Sequence, residues 1–386
     1  MDIQSIDKTY VANTYARFPV TIVKGKGSLV WDDQGKEYID LSTGIAVDTF
    51  GIADDEWIAA VTQQLGTLQH MSNLFYTEPC AKLAQMLCER TGMKKVFFGN
   101  SGAEANECAI KTARKYAEDK KGRDYCTIIT LKNSFHGRTI TTLAATGQDV
   151  FHKDFTPLTE GFVYAEPNDI DDLKRLMQQN KCAAVMIEVV QGEGGVMPLD
   201  AEYVKAVEKL CKENDVLLIC DEVQVGNGRS GMLYGYMNFG IQPDIVSTAK
   251  GLAGGLPLGA TLLGEKVQNV LGAGMHGSTF GGNPVCCAGA ISVLSRLTEE
   301  TLAGVRERAD YIRNALAGAK GILSVTGLGL MIGIKTEKDA SAVLAACREK
   351  GVIVIKAKDK IRLLPALNIP MDQLKKAVDT IQECCA

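Results

Sequence analysis

Between about residues 90 and 265, short apolar runs alternate with longer segments whose apolar positions recur at a helical spacing. The apolar runs contain few charged positions, which is typical of strands buried on both faces of a sheet. This alternation predicts an α/β fold, with a large, mostly parallel sheet covered by crossover helices. The predicted strands comprise residues 95–98, 127–131, 183–190, 216–220, 244–247 and 259–263.

Two of the intervening segments have the periodicity of amphipathic helices. Residues 103–117 place four alanines at intervals of four, and residues 202–212 place apolar side chains along one stripe. Residues at these spacings lie on one face of a helix, and that face can cover a sheet. We therefore predict crossover helices over both segments.

The two ends of the chain have a different pattern. After Pro284 a long helical stretch reaches Ala319, strand-like runs follow at 323–335 and 352–365, and a last helix begins at Met371. Residues 18–41 alternate as strands do, with a turn at 32–35. We predict a large domain over 51–285 and a smaller α+β domain, built from an N-terminal segment, 1–50, and a C-terminal part, 286–386.

Composition and charge narrow the possible functions. The net charge is −4, and lysines and arginines do not cluster, so we expect no nucleic-acid partner. We expect no membrane partner, because no apolar run approaches membrane-spanning length. The four histidines lack metal-ligand spacing and C-x-x-C is absent, so no metal site is expected. Twelve cysteines, single or in tandem, favour buried thiols in a reducing cytoplasm.

Two polar residues follow predicted strands. Asp221 comes directly after the run 216–220, and Lys250 comes three positions after the run 244–247, before a glycine-rich loop. Ligands of open α/β sheets bind at the carboxyl ends of strands. Taken alone, Asp221 could be a helix cap and Lys250 a solvated surface residue. A desolvated lysine in such a place has a lowered pKa and can attack a carbonyl group to form an imine.

The segment 97–103 combines a strand end, a turn of small residues and a helix start. Backbone N–H groups and the helix dipole can bind a phosphate there, although many α/β turns contain glycine. The dinucleotide fingerprint, the P-loop and G-x-S-x-G are all absent. A phosphate site, an imine-forming lysine and an acid for a pyridine nitrogen are together what pyridoxal phosphate requires. Phe135 could stack on its ring and Arg138 could bind a carboxylate, or they could be a core residue and a surface ion-pair partner.

With these residues the chain resembles the class III aminotransferases, and within them the acetylornithine and ornithine type, from about residue 14 to 383. The motifs that carry the resemblance are 72–76 (SNLFY), 98–107 (FGNSGAEANE), 133–138 (NSFHGR), 191–196 (QGEGGV), 221–231 (DEVQVGNGRSG), 247–251 (STAKG) and 276–284 (HGSTFGGNP). Two stretches depart from the usual pattern: 51–55 is GIADD rather than G-H-x-H-P, and 188–191 is EVVQ rather than E-P-x-Q.

The resemblance implies an aspartate-aminotransferase-like fold, that of fold type I pyridoxal-phosphate enzymes, and an active site shared between the subunits of a homodimer. The implied catalytic residues are Lys250, as the Schiff-base lysine, and Asp221, on the pyridine nitrogen. The implied cofactor contacts are also Ser101, Gly102 and Ala103 at the phosphate, Phe135 on the ring, Gln224 at the ring hydroxyl and Thr279 from the other subunit. The implied substrate contacts are Arg138, Ser278 and the facing pair Glu193 and Arg362. Arg17 and Asn73 are candidates to contact the N-acetyl group of the substrate.

The expected reaction moves the δ-amino group of N2-acetyl-L-ornithine to 2-oxoglutarate, as in arginine biosynthesis. Gly44 stands where ornithine-specific relatives carry a tyrosine, which leaves room for the acetyl group. Ornithine, succinylornithine and 4-aminobutyrate remain alternative donors. An aminomutase or decarboxylase would keep Lys250 and Asp221, but it needs no second carboxylate-binding group such as Arg362. A binding protein without catalytic activity would not need the complete cofactor set.

Overall fold

The computed structural model describes residues 2–386. Their strands are β1 (Ile22–Lys26), β2 (Leu29–Asp32), β3 (Glu37–Asp40), β4 (Lys95–Gly99), β5 (Thr127–Leu131), β6 (Phe162–Ala165), β7 (Cys182–Ile187), β8 (Val190–Gln191), β9 (Met197–Pro198), β10 (Leu217–Asp221), β11 (Ile245–Thr248), β12 (Gly259–Leu263), β13 (Ile322–Leu328), β14 (Met331–Thr336), β15 (Val352–Ile353), β16 (Ile355–Ala357) and β17 (Lys360–Leu363). Their α-helices are α1 (Ile3–Tyr10), α2 (Thr43–Ala46), α3 (Asp55–Leu65), α4 (Glu78–Thr91), α5 (Gly102–Lys121), α6 (Ile140–Ala145), α7 (Asp149–His152), α8 (Ile170–Gln179), α9 (Ala201–Glu213), α10 (Pro284–Arg296), α11 (Glu299–Leu316), α12 (Ala340–Glu349) and α13 (Met371–Cys385).

A seven-stranded sheet forms the centre of the molecule, in the order β4-β12-β11-β10-β7-β5-β6. All neighbouring strands are parallel except around β12, which is antiparallel to β4 and β11. Strands β7, β10, β11 and β12 are buried along their whole length. The α/β prediction is therefore confirmed, and the carboxyl ends of β5, β7, β10 and β11 meet at one edge of the sheet.

The predicted strands differ from the observed ones in three places. The run 183–190 forms a sheet strand only as far as Ile187, after which the chain turns toward the short hairpin of β8 and β9. Strand β4 is not buried on both faces, because it lies at the edge of the sheet and exposes Lys95. Strand β6 was not predicted, because its four residues, FVYA, are too short for a clear pattern.

The chain ends form two four-stranded sheets, ordered β1-β2-β3-β15 and β13-β14-β17-β16. In the first, β15 pairs parallel with β3, so an early and a late part of the sequence share one sheet. The predicted strand-like runs are shorter strands: 323–335 is the hairpin of β13 and β14, and 352–365 contains β15, β16 and β17. The domain boundaries stay a prediction.

Two helices occupy the long helical stretch predicted after Pro284. Helix α10 ends at Arg296, and Thr298 caps α11 by accepting a hydrogen bond from the backbone N–H of Thr301 at 3.3 Å. A threonine in this position favours a new helix start over continuation. In residues 2–386 no helix combines the length and the apolar character that crossing a membrane requires.

Candidate active site

A cavity of about 470 Å³ lies at the carboxyl edge of the central sheet. Its walls come from the β4–α5 turn, the loop after β5, the end of β7, the loop after β10 and the loop after β11. Most of the candidate cofactor residues line it: Ser101, Gly102, Ala103, Phe135, Asp221, Gln224 and Lys250. The structure thus brings together residues that are up to 149 positions apart in the sequence, from 101 to 250.

Asp221, the last residue of β10, is 4% exposed and lines the cavity. Its Oδ2 accepts hydrogen bonds from Asn106 Nδ2 and His136 Nδ1, both at 2.8 Å, and its Oδ1 accepts one from the Val223 N–H at 3.0 Å. Donors of this kind stabilise an ionised carboxylate. Asp221 is therefore suited to hold a cationic group in the cavity.

Lys250 follows β11 and lines the same cavity as Asp221. Burial lowers the pKa of its ammonium group to about 8, and the nearby negative charge of Glu193 only partly offsets this. Its Nζ makes no hydrogen bond or salt bridge within the described part of the chain. A φ of 46° places the backbone of Lys250 in the left-handed region, which is uncommon for a non-glycine residue. The amine is thus held available for a reaction partner.

The start of helix α5 forms one end of the cavity. Ser101 is the N-cap, and its Oγ accepts the Glu104 N–H at 3.2 Å. Gly102 is packed so tightly that a Cβ there would lie 2.6 Å from Cγ1 of Val223. The absence of a side chain leaves the first N–H groups of the helix open toward the cavity. A helix start of this kind binds anions such as phosphate.

Phe135 and Arg138 form another wall, on the loop after β5. Phe135 is half-buried and packs edge-on against Phe151, with 5.5 Å between ring centroids. The Arg138 guanidinium lies 5.2 Å from the centroid of the Phe135 ring and is exposed. No acidic partner holds it within residues 2–386, so it is free to bind a carboxylate of a ligand.

Glu193 and Arg362 form a salt bridge next to the cavity, with 2.6 Å between Oε1 and Nη1. Arg362, on β17, is 2% exposed, and its Nη1 also donates to Gln224 Oε1 at 2.9 Å. Gln224 Nε2 donates to Glu193 Oε1 at 3.2 Å. Burial raises the pKa of Glu193, but the charge and hydrogen bond of Arg362 outweigh this effect and hold the pKa below its ordinary value. Gln224 therefore connects the ion pair to the cavity.

Besides Glu193 and Arg362, four of the predicted residues do not line this cavity. Ser278 Oγ accepts from Asn100 Nδ2 at 3.0 Å, while Asn73 Nδ2 donates to the carbonyl oxygens of Ser278 and Gly281. Thr279 is exposed. Arg17 pairs with Asp7 and lines a second cavity, of about 1090 Å³, together with Gly44. The roles of these four residues, like those of all the site residues, stay predictions.

Three further residues belong to the site although the sequence interpretation gave them no role. Asn106 and His136 hold Asp221, and Glu188 lines the cavity beside them. Glu188 lies inside the run predicted as a strand, 183–190, and only the earlier end of β7 at Ile187 brings it to the sheet edge, where ligands bind. Asn106 lies within a helix and His136 within a loop, and no local pattern links either of them to Asp221.

These residues fit pyridoxal phosphate. The open helix start at Gly102 suits a phosphate, the buried carboxylate of Asp221 suits a protonated pyridine nitrogen, and the unpartnered Nζ of Lys250 suits imine formation. The side-chain atoms Asn106 Oδ1 and His136 Nε2 are buried without a partner beside Asp221. Buried polar atoms of this kind are typical of a site that a bound group completes.

Similar sequences cover nearly the whole chain. The acetylornithine aminotransferase of Haemophilus ducreyi is 50% identical over 383 residues, covering 99% of this chain and 98% of that protein. The acetylornithine aminotransferase of Methanocaldococcus jannaschii is 42% identical, covering 98% of this chain and 96% of that protein.

Solved structures that superpose well on this chain are aminotransferases too. The ornithine aminotransferase of Toxoplasma gondii superposes with a TM-score of 0.95 at 32% identity, covering 99% of this chain and 94% of the other. The N-acetylornithine aminotransferase of Stenotrophomonas maltophilia gives 0.86 at 36% identity, covering 98% and 97%. The predicted aspartate-aminotransferase-like fold is thus confirmed. The sequence profile described as aminotransferase class-III matches residues 10–385, and the chain belongs to that family.

Proposed function

We propose that this chain is a pyridoxal-phosphate enzyme that transfers the δ-amino group of N2-acetyl-L-ornithine to 2-oxoglutarate, giving N-acetyl-L-glutamate 5-semialdehyde and L-glutamate. The observation that carries the proposal is a single cavity combining Lys250, Asp221 and a helix N-terminus, with two arginines beside it. The names of the sequence relatives support the amino donor. A related Toxoplasma gondii structure, described as having PLP at its active site, supports the cofactor.

The bound cofactor supplies an electron sink for the carbon that carries the amino group. Asp221, held in place by Asn106 and His136, would bind the protonated pyridine nitrogen of the cofactor. Lys250 Nζ is uncharged above a pH of about 8. The uncharged amine takes the proton from the amine-bearing carbon of the substrate, and the resulting ammonium group donates it back in a later step. Phe135 lines the cavity and would pack against the cofactor ring.

Two arginines are suited to bind the two carboxylates of L-glutamate. Arg138 is free to bind the carboxylate that is far from the reacting amine in either donor. L-glutamate has a second carboxylate beside its amine, and Arg362 is suited to bind it. When N2-acetylornithine is bound, this position holds no carboxylate, and Glu193 neutralises Arg362 instead. An unpaired buried arginine would be costly, so the ion pair allows one site to serve both donors.

The donor is tested by a panel of amines with 2-oxoglutarate. We expect N2-acetylornithine to give the highest kcat/KM, ahead of ornithine, succinylornithine and 4-aminobutyrate. Gly44→Tyr should lower kcat/KM for N2-acetylornithine relative to ornithine. Because Gly44 has a φ of 62°, any side chain there adds strain, and Gly44→Ala is the matched control for it. A wild-type preference for ornithine would overturn the donor, while leaving the aminotransferase assignment intact.

The proposal includes a homodimer with shared active sites. Leu74, Tyr76 and Phe280 are 87%, 106% and 59% exposed. Their segments touch each other, because Asn73 bonds to Ser278 and Gly281 and the His70 ring lies 5.4 Å from that of Phe280. An exposed apolar surface of this kind is typical of an interface. Light scattering should give twice the chain mass, and a monomer would contradict the dimer.

A cytoplasmic location is also part of the proposal. All twelve cysteines are free thiols in the structure, and most are buried. Free thiols persist in reducing compartments. Fractionation of cells that produce the protein should find it in the cytosolic fraction, and recovery from a secreted fraction with oxidised cysteines would contradict this location.

A further inference from the structure

Glu188 is a buried acid that no step of the proposed reaction uses. It directly follows β7, is 5% exposed and lines the cavity. Its Oε1 accepts a hydrogen bond from the Phe135 N–H at 2.8 Å, and its Oε2 accepts one from the Gly192 N–H at 3.4 Å. No lysine or arginine pairs with it within residues 2–386. A single side chain therefore connects two loops of the site that are far apart in the sequence.

The two loops connected by Glu188 carry residues with different proposed roles. The loop after β5 carries Phe135, which would face the cofactor ring, and the loop after β8 carries Glu193, which pairs with Arg362. Gly192, the second contact of Glu188, directly precedes Glu193. Gly192 is also tightly packed, since a Cβ there would lie 2.3 Å from Gln224 Oε1. A shift of this loop would therefore move the contacts among Glu193, Gln224 and Arg362.

The surroundings of Glu188 differ from those of Asp221. Burial and the charge of Asp221 raise the pKa of Glu188 well above its ordinary value, with a smaller contribution from Glu193, while the two backbone N–H groups only partly offset this. Lys250 is the nearby cation. Asp221 instead accepts three hydrogen bonds. The raised pKa thus favours the neutral form of Glu188, and its side-chain oxygens accept both hydrogen bonds.

We propose that Glu188 is a positioning residue, which holds the Phe135 loop and the Glu193 loop at a fixed separation across the site. Its action on the cofactor passes through Phe135, and its action on the substrate carboxylate passes through Glu193 and Arg362. The inference rests on the proposed function for the roles of Phe135, Glu193 and Arg362, but not for the identity of the amino donor.

Glu188→Gln and Glu188→Leu form a matched pair for the test, because both are uncharged and close to glutamate in size. Glutamine keeps an oxygen for the Phe135 N–H, whereas leucine leaves both N–H groups without a partner. Three quantities are measured: the Kd of apo-protein for pyridoxal phosphate, the visible circular dichroism of the bound cofactor, and the single-turnover rates with L-glutamate and N2-acetylornithine.

Glu188→Gln should keep all three quantities within about threefold of wild type, and it should leave the pH dependence of the cofactor absorbance unchanged. Glu188→Leu should raise the Kd roughly tenfold, change the dichroism, and slow the L-glutamate reaction more than the N2-acetylornithine reaction, since two buried N–H groups lose their partner. Wild-type values in Glu188→Leu would overturn the inference. So would equal losses in both variants, because they would mean that the carboxyl proton itself is required.

Folding of the leucine variant is checked by its thermal midpoint. If the leucine variant does not fold, the same measurements on Glu188→Asp test the inference. Aspartate is one methylene too short to reach both loops. Wild-type behaviour of Glu188→Asp would then overturn the inference. The proposed function fails separately: it is wrong if the wild-type protein binds no pyridoxal phosphate or does not turn over N2-acetylornithine, whatever the Glu188 variants do.

Discussion

At the scale of single residues, the environment of Lys250 makes its reactivity depend on pH in a specific way. Burial lowers the pKa of its ammonium group from 10.5 to about 8, so the amine becomes neutral above pH 8 rather than above pH 10. Only the neutral amine attacks a carbonyl group.

The rate at which apo-protein condenses with pyridoxal phosphate should therefore rise as the pH is raised through about 8 and level off above it. Stopped-flow absorbance at a series of pH values measures this rate, and Lys250→Ala should show no condensation at any pH. A rate that keeps rising to pH 10 would show that burial does not activate the lysine.

Arg362 and Glu193 give a second prediction at this scale. Loss of an arginine–carboxylate contact costs about 1.5–3 kcal/mol, so Arg362→Ala should slow the L-glutamate half-reaction by roughly ten- to a hundredfold. The N2-acetylornithine half-reaction should change much less. Glu193→Ala should shift the preference the other way, toward α-amino donors, because it leaves Arg362 without its competing partner.

Single-turnover rates with each donor alone measure both effects. Lys356→Ala is the matched control, since it removes an exposed cation from the neighbouring strand β16. If Arg362→Ala slowed both half-reactions equally, Glu193 and Arg362 would not distinguish the two donors.

Sequence reasoning selected Lys250 and Asp221 as candidates because each follows a strongly apolar strand. It could not find Asn106 and His136, the hydrogen-bond partners of Asp221, because they lie 115 and 85 positions away in the sequence. Such contacts depend on how helix α5 and the loop after β5 pack together, and no local spacing encodes this.

At the scale of elements, the start of helix α5 depends on the absence of a side chain at Gly102. A Cβ there would approach Cγ1 of Val223 to 2.6 Å, and a β-branched residue has little freedom to move away. Overpacking of this kind typically costs about 1–3 kcal/mol. Gly102→Ala should therefore shift the helix start and weaken pyridoxal-phosphate binding by roughly tenfold.

Equilibrium titration of the apo-protein with pyridoxal phosphate measures this loss. Gly272→Ala is the control, because a Cβ at Gly272 meets no atom within 4 Å. Unchanged affinity in Gly102→Ala would mean that the helix start does not bind the phosphate.

Strands with a continuous apolar run were predictable from the sequence, whereas short or exposed strands were not. The central strands β5, β10, β11 and β12 lie within one residue of their predicted bounds, because continuous burial makes them uniformly apolar. The helix stretch after Pro284 was predicted as one element, since the break at Thr298 is a capping interaction that leaves the apolar pattern almost unchanged.

At the scale of the whole molecule, the position of Thr279 allows a test of the shared active site. Thr279 is exposed and does not line the cavity of its own chain. If it acts in the other subunit, a hybrid of one Lys250→Ala chain and one Thr279→Ala chain contains one complete site. That site combines Lys250 of one chain with Thr279 of the other.

Hybrids purified through two different tags should therefore regain about half of the wild-type activity and one tight pyridoxal-phosphate site per dimer. Each parental homodimer should show a defect at both sites. No gain in the hybrid over the Thr279→Ala parent would place Thr279 in its own subunit or outside the site. A single sequence could not settle this question, because it does not say which copy of the chain supplies a residue.

The parallel pairing of β3 with β15 has a consequence for synthesis on the ribosome. Lys36, which precedes β3, donates to the carbonyl oxygen of Glu349, 313 positions later. At a translation rate of about 5–20 residues per second, β1 to β3 emerge roughly 15–60 seconds before the strand that completes their sheet. During that interval the edge of β3 is unpaired and open to pairing with strands of other chains.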